Sequence, residues 1–443
     1  MIDKNSKNDF ETNTLAIVDQ LLKKRIKNSE KIYCYARKAL INYLTVLQKS
    51  KNKETVKKTI EFFNANERTL PINADKRVTS ERAAFLNGFA AHYLDLDDTQ
   101  ANFRGHPSAV IMSALFAITT PEDELKDFLW AFIQGVEIAG KLGKLLNPRL
   151  AWQGWHTTGV IGTVAAAASL GVYKKLNKDQ LINILSFAVT QASGLEAQSG
   201  SDGKPFNAGI AARNAATAFL TVRSGIKANQ NPFGNDRGWL MTLASLKVEP
   251  NQLVKDWLNP AEIIEPGLWF KTFPFCSAGM ASYDASENLY ASGLRINDCK
   301  KILIHFPQGG DHALRYKVPK TGKEGRFSAE YIVWQILSRG SLNERLFEVS
   351  HVPQEFVQLQ KIFERKHDLT NTLEDARPTE VEVILKNGSK LSRKVIYPKG
   401  SPKNEIDENT LWLNFSEQVG EASCQIQKFL KKDSSRVIKL TNM

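Results

Sequence analysis

The chain has 443 residues, 42% of them hydrophobic and 24% charged, with a formal net charge of +12. Such a balance fits a globular protein of roughly two or three domains with a sizeable core, and it excludes a wholly disordered chain, a collagen and a disulfide miniprotein. The charge excess is local: residues 1–80 hold 17 basic and 9 acidic side chains.

Within that segment Lys23, Lys24, Arg25, Lys27 and Lys31 recur at helical spacing. No interleaved aromatic platform, zinc finger or RNP-type motif accompanies them, so they read as a solvated helical face and not as a nucleic-acid arm. Cys34, Cys276, Cys299 and Cys424 are far apart and form no CxxC pair. Neither a zinc knuckle nor a redox motif is expected, and the pattern suits a reducing cytoplasm. Met1 is followed by the polar run Ile2-Asp3-Lys4-Asn5, which does not read as a secretory signal. The uncharged run 150–173 is long enough to span a bilayer. Trp152, Gln153, His156, Thr157 and Thr158 crowd its first third, which predicts a buried helix of a large core and no membrane partner.

In chain order, Leu15, Ile17, Val18, Leu21 and Leu22 predict an amphipathic helix over 13–25, and the pattern repeats over 29–48 and 52–64. After Pro71 a looser stretch leads to Ser80, a candidate N-cap for a helix through Ala83, Phe85, Leu86, Phe89 and Ala90. Helices follow over 108–119 and 122–146, the latter opening with Pro121-Glu122-Asp123-Glu124. Residues 156–172 and 208–222 are dense in Ala, Gly, Thr and Ser, and 179–194 mixes apolar with small residues, which places these helices at the centre of a bundle. Glycine is costly inside a helix, so Gly159 and Gly162 are expected to serve close packing or the approach of a ligand.

Pro266-Gly267 marks a change of style. Residues 301–306 form a β-rich run, 327–338 read as helix, and 379–385 with 390–396 alternate around Asn387-Gly388 as a hairpin. Pro398, Gly400 and Pro402 mark a hinge, and 405–431 return to helix. The expected fold is mainly α: a large all-helical domain over 1–265, completed by 403–443, with an inserted smaller α+β lid domain over 266–402.

Five stretches carry chemistry. Asp95, Asp97 and Asp98 with Thr99, followed by His106, put three carboxylates within four residues, which repel unless paired, hydrogen-bonded or bound to a cation. A magnesium site of the terpenoid-cyclase kind would need a further carboxylate where Thr99-Gln100-Ala101 stands. His156 heads the apolar helix, where an imidazole meets the positive end of the helix dipole. Lys204 follows a small-residue loop that is neither a P-loop nor a nucleophile elbow, and it opens into the bundle, where a lysine needs an anion. Lys271 and Cys276 lie at the expected domain seam, and Tyr316 precedes Pro319-Lys320-Thr321-Gly322.

NGFAAHYLDLDDT with HPS (87–108), GWHTTG (154–159), GKPFNAG with AARNAA (203–216), KTFPFCSAG (271–279) and PKTGKEGRFSAEY (319–331) together resemble the MmgE/PrpD family in order and spacing. The resemblance implies a helical domain with an α+β lid, a homodimer, and metal-free, cofactor-free chemistry on a small di- or tricarboxylate. It carries the family's active-site positions to Asp95, Thr99, His106, His156, Lys204, Lys271 and Tyr316. The expected roles are catalytic for His106, His156, Lys204 and Tyr316, and substrate-binding for Asp95, Thr99, Lys271 and Cys276. Asn207 stands where several members have histidine, Cys276 stands where the decarboxylases have histidine, and Glu330 replaces a proline common in the lid helix. The implied activity is a lyase, dehydratase or decarboxylase, working through an enolate or carbanion beside a carboxylate. An epimerase or isomerase of a small dicarboxylate is the second reading, and a catalytically silent carboxylate-binding homologue the third.

Overall fold

The computed structural model describes residues 6–23, 30–62, 78–370, 376–432 and 435–442. Lys24, Arg25, Lys27 and the stretch beginning at Pro71 lie outside them. The described chain is mainly helical. Its first part runs through α1 (Ser6–Leu21), α2 (Glu30–Ser50), α3 (Glu54–Phe62), α4 (Ser80–Tyr93), α5 (Pro107–Ala117), α6 (Leu125–Leu146), α7 (Thr157–Tyr173), α8 (Lys178–Gln191) and α9 (Gly203–Arg223).

Helix starts differ from the expected ones for local reasons. Thr79, not Ser80, caps α4: its backbone is extended and its hydroxyl accepts from Arg82 N, while Ser80 is already helical. Pro121–Glu124 forms a turn before α6, because Asp123 Oδ2 accepts from Thr120 N at 2.6 Å and from its hydroxyl at 3.1 Å. α9 also starts early, at Gly203, so Lys204 sits in its first turn and not in a flexible loop.

The helical core centres on α4, α5, α7 and α9. Every residue of α7 but Val172 is buried, and no helix of the described residues is long and apolar enough to cross a membrane. Small residues set the spacing. A Cβ on Gly88 of α4 would lie 2.9 Å from Ala208 O, and one on Gly209 of α9 would lie 2.7 Å from Phe85 O. Gly159 also serves packing, since its Cβ would lie 2.3 Å from Ser193 O.

A second apolar cluster surrounds the sheet-bearing part. β1 (Thr99–Gln100) pairs antiparallel with β2 (Leu268–Trp269), joining the two parts. A four-stranded sheet has the order β4-β3-β5-β6, with β3 (Cys299–Pro307), β4 (Phe363–Leu369), β5 (Thr379–Leu385) and β6 (Lys390–Val395). β5 and β6 form the expected hairpin, with Gly388 at φ 89° in its turn. The parallel partner of β3, the edge strand β4, has no alternating pattern to predict it. α10 (Met280–Ala291) packs on β5 and β6, and α11 (Ala329–Arg339) packs on α10. Glu330 of α11 takes the Arg365 guanidinium of β4 in a two-pronged ion pair, 2.7 Å on each oxygen. Glu330 is thus matched by a buried partner. The expected final helix is two, α12 (Glu408–Val419) and α13 (Ala422–Leu430), split at Gly420 with φ 64°. Ile406, Leu411, Phe415, Ile426 and Leu430 return to the helical core.

The tight α4–α9 crossing yields a prediction. Gly209→Ala should lower stability by about 1–3 kcal/mol, because its methyl meets backbone that cannot rotate away. Chemical denaturation would measure this, and an unchanged midpoint would show that the crossing can open.

Candidate active site

Four helix ends and the β1–β2 seam meet at one point. α4 ends at Tyr93, and Asp95 follows with φ 54°, a left-handed conformation that aspartate tolerates better than most residues. His106 and His156 are the residues immediately before α5 and α7. Lys204 lies in the first turn of α9, and Lys271 follows β2 by two residues.

Asp95 gathers the cations. Its Oδ1 lies 2.9 Å from Lys204 Nζ, 3.0 Å from Lys271 Nζ and 3.5 Å from His106 Nε2, all buried. Burial pushes the Asp95 carboxyl up, but Lys204, Lys271 and the imidazoles hold it well below the usual carboxylate range. Asp97 serves histidines instead. Its Oδ2 lies 2.8 Å from His92 Nδ1 and 3.1 Å from His106 Nδ1, the latter off the line of a good hydrogen bond. Asp98 accepts from Ser108 N at 3.2 Å and Ser108 Oγ at 2.6 Å, so it caps α5, and burial raises its carboxyl to about 7. The three adjacent aspartates therefore do three different things.

Burial also decides the imidazoles. It lowers His106 to about 3 against the pull of Asp97, and it lowers His92 and His156 with help from Lys204. All three rings are neutral near pH 7, and the tautomers of His92 and His156 follow from their partners. His92 must carry its proton on Nδ1, because Asp97 only accepts, and its Nε2 then accepts from Lys204 Nζ at 2.9 Å. Asn207 Nδ2 donates to Leu195 O at 3.1 Å, which fixes the amide, since a carbonyl only accepts. The same nitrogen faces His156 Nδ1 at 3.2 Å, so that ring nitrogen accepts and Nε2 carries the proton.

In front of this cluster lies a cavity of about 490 Å³. Of the predicted site residues, Thr99, His106, His156, Lys204 and Cys276 line it. Asp95 and Lys271 stand one layer behind, joined through Oδ1 and the Asp95 carbonyl. Thr99 Oγ1 is buried with no hydrogen-bond partner, which leaves it to a ligand. Burial and Asp95 raise the Cys276 thiol, so it remains protonated and lends an apolar wall more than a nucleophile. The structure places Tyr316 apart from the cavity wall: its hydroxyl donates to Ser199 O at 2.8 Å and its ring packs on Gly200. With Arg315 to Glu196 O at 2.8 Å and Lys323 to Asp202 at 2.6 Å, it ties the sheet-bearing part to the segment before α9.

His92, Asp95, Asp97 and His106 bring ligand atoms within 4.8 Å of one another, a spacing that would suit a divalent ion. Two ammonium groups already neutralise Asp95, so a metal there would sit against like charge, and the residues do not fit one.

The MmgE/PrpD N-terminal domain matches residues 17–250, and the MmgE/PrpD C-terminal domain matches residues 273–418. The chain belongs to the MmgE/PrpD family. Among its relatives, cis-aconitate decarboxylase of Homo sapiens is 27% identical over 284 residues, covering 60% of this chain and 57% of the relative. Cis-aconitate decarboxylase of Mus musculus is 24% identical over 378 residues, 79% of this chain and 74% of the relative. Cis-aconitate decarboxylase of Aspergillus terreus is 31% identical over 154 residues, 33% of this chain and 31% of the relative. The chain thus matches less than two thirds of the length of the human and fungal relatives.

Two side chains of this MmgE/PrpD site escape a reading by motif. His92 lies inside NGFAAHYLDLDDT, and only its spacing of three residues from Asp95 hints at a shared helix face. Asn207 reads as a departure, yet it sets the proton position on His156.

Two predictions follow from the neutral rings. Long-range proton–nitrogen correlation spectra at pH 7.5 should show His92, His106 and His156 neutral, with Nδ1–H on His92 and Nε2–H on His156. The folded His106 takes its proton near pH 3 and an unfolded histidine near 6.5, so acid between those values favours the unfolded chain. His106→Asn should therefore lose less stability than the parent protein between pH 6.5 and 4. An identical pH slope would contradict the buried neutral ring.

Proposed function

We propose that this MmgE/PrpD protein is a lyase, dehydratase or decarboxylase in type, acting on a small di- or tricarboxylate by acid/base chemistry. The observation that carries this reading is a pair of neutral imidazoles, His106 and His156, lining a cavity whose wall also holds Lys204. His106, whose Nδ1 lies 3.1 Å from Asp97, is assigned Nε2 as the base, and His156, held by Asn207, offers Nε2–H as an acid.

In a dehydration, His106 takes the proton from the carbon next to a carboxylate, and the electron pair forms the double bond as the hydroxyl departs with the proton of His156. In a decarboxylation, the carbon–carbon bond to carbon dioxide breaks, its electron pair becomes an enolate or carbanion, and an imidazole proton quenches it. Lys204 in the wall and Lys271 behind it stabilise the developing negative charge. Both are already oriented by Asp95, so no reorganisation is needed when charge develops. The relatives named as cis-aconitate decarboxylases support the decarboxylase form. In this reading residues 266–402 act as a lid over the helical domain, and Tyr316 holds that lid without touching substrate. The homodimer, the small carboxylate as the only partner class and the cytoplasmic setting belong to the same proposal.

Proton NMR in D₂O with EDTA, on cis-aconitate, citrate, 2-methylcitrate, malate and aminated succinates, tests the reading. Product signals should distinguish loss of water from loss of carbon dioxide. Deuterium entering an α-carbon without net product would instead indicate the epimerase. His106→Gln and His156→Gln should each slow turnover by about 10²–10⁴-fold. Unchanged rates in both would remove the assigned roles, and activity that EDTA abolishes and a divalent ion restores would overturn the metal-free account.

A further inference from the structure

The cavity wall holds three cationic side chains, Arg104, Lys204 and Arg377, against one carboxylate, Glu196. Lys204 is spoken for by Asp95, and Glu196 faces His312 at 3.4 Å. Neither arginine forms an ion pair with any described residue. The positive charge in the wall that no described carboxylate pairs with is therefore that of the two guanidinium groups.

The side chain of Arg377 and the backbone of Arg104 are held in place. Arg377, just before β5, donates to Ser277 Oγ at 2.6 Å and lies 4.5 Å over the Trp269 ring. Arg104 projects at the solvent-exposed mouth from a tight loop in which Gln100 N bonds Gly105 O at 3.1 Å and Arg104 N bonds Gln100 O at 2.8 Å. Burial, and the nearness of Arg104, lower Arg377 to about 10, and burial lowers Arg104. Two such groups are a planar, forked match to a carboxylate.

We propose that Arg104 and Arg377 form a second carboxylate subsite, which binds a carboxylate of the substrate away from the reacting carbon. The subsite makes two or more carboxylates a requirement for tight binding, and it is assembled from both parts of the chain, so an occupant draws them together. The inference rests on the carboxylate reading of the cavity but not on turnover.

Calorimetric titration separates the two. The probe is tricarballylate, a saturated tricarboxylate without a leaving hydroxyl, with butyrate as the monocarboxylate control. The wild-type protein should bind tricarballylate more tightly than butyrate. Arg104→Gln and Arg377→Gln should each weaken tricarballylate binding by about 10–100-fold, and leave butyrate binding unchanged. Arg377→Lys should recover part of the loss, since it restores charge but not the fork. Arg104 is exposed, so its variant keeps the test valid if Arg377→Gln disturbs folding. Tricarballylate affinities within twofold of wild type in both variants, or a wild type that prefers butyrate or binds neither, would overturn the subsite. Loss of tricarballylate binding in the variants of a protein that turns over nothing would overturn the lyase reading and leave the subsite standing.

Discussion

The Asp95 carboxylate is the point on which the site is built. It lies in the interior with two ammonium groups on a single oxygen. Two cations brought that close in a buried place would drive the structure apart without it, and breaking such a cluster by removing one partner leaves an uncompensated charge. Asp95 thereby ties together the end of α4, the start of α9 and the β1–β2 seam. It also keeps Lys204 and Lys271 in position before any substrate arrives.

The charge arithmetic around it explains why a basic-looking site can be chemically poised. Asp95 and Asp97 balance the two lysines, and burial strips the imidazoles of their protons. A neutral ring can be base or acid according to which nitrogen bears hydrogen. Here that choice is made by neighbours without catalytic chemistry of their own: Asp97 for His92 and Asn207 for His156. Asn207 thus sets the proton position on His156. The surplus positive charge sits farther out, on Arg104 and Arg377, where it meets an anion at the mouth and wall of the cavity.

Packing makes this electrostatic arrangement possible. Gly88 and Gly209 let α4 and α9 approach until backbone meets backbone, which brings His92 and Lys204 to 2.9 Å. Glu330 and Arg365 fasten α11 to the edge strand behind the cavity. Tyr316 extends that fastening to the helical part through Ser199 O, a structural use of a residue that the family resemblance assigns to chemistry.

Short-range order was readable from residue types. The helices of the bundle, the Asn387-Gly388 hairpin and the buried character of α7 all follow from periodicity and turn chemistry that act within a few residues. So do Asp95, Thr99, His106, His156, Lys204 and Cys276 as candidates, because each stands in a compact motif. Partnerships were not readable. Asp95 meets Lys204 across 109 residues and Lys271 across 176, and no local pattern encodes such a distance. The half-buried edge strand β4, the inward turn of Arg377, the contact of Tyr316 with Ser199 and the proton positions on His92 and His156 were settled only when the chain closed on itself. Burial and the identity of the facing atom, both products of tertiary packing, fix a pKa and a tautomer, whereas a residue's type only supplies the group that can be tuned.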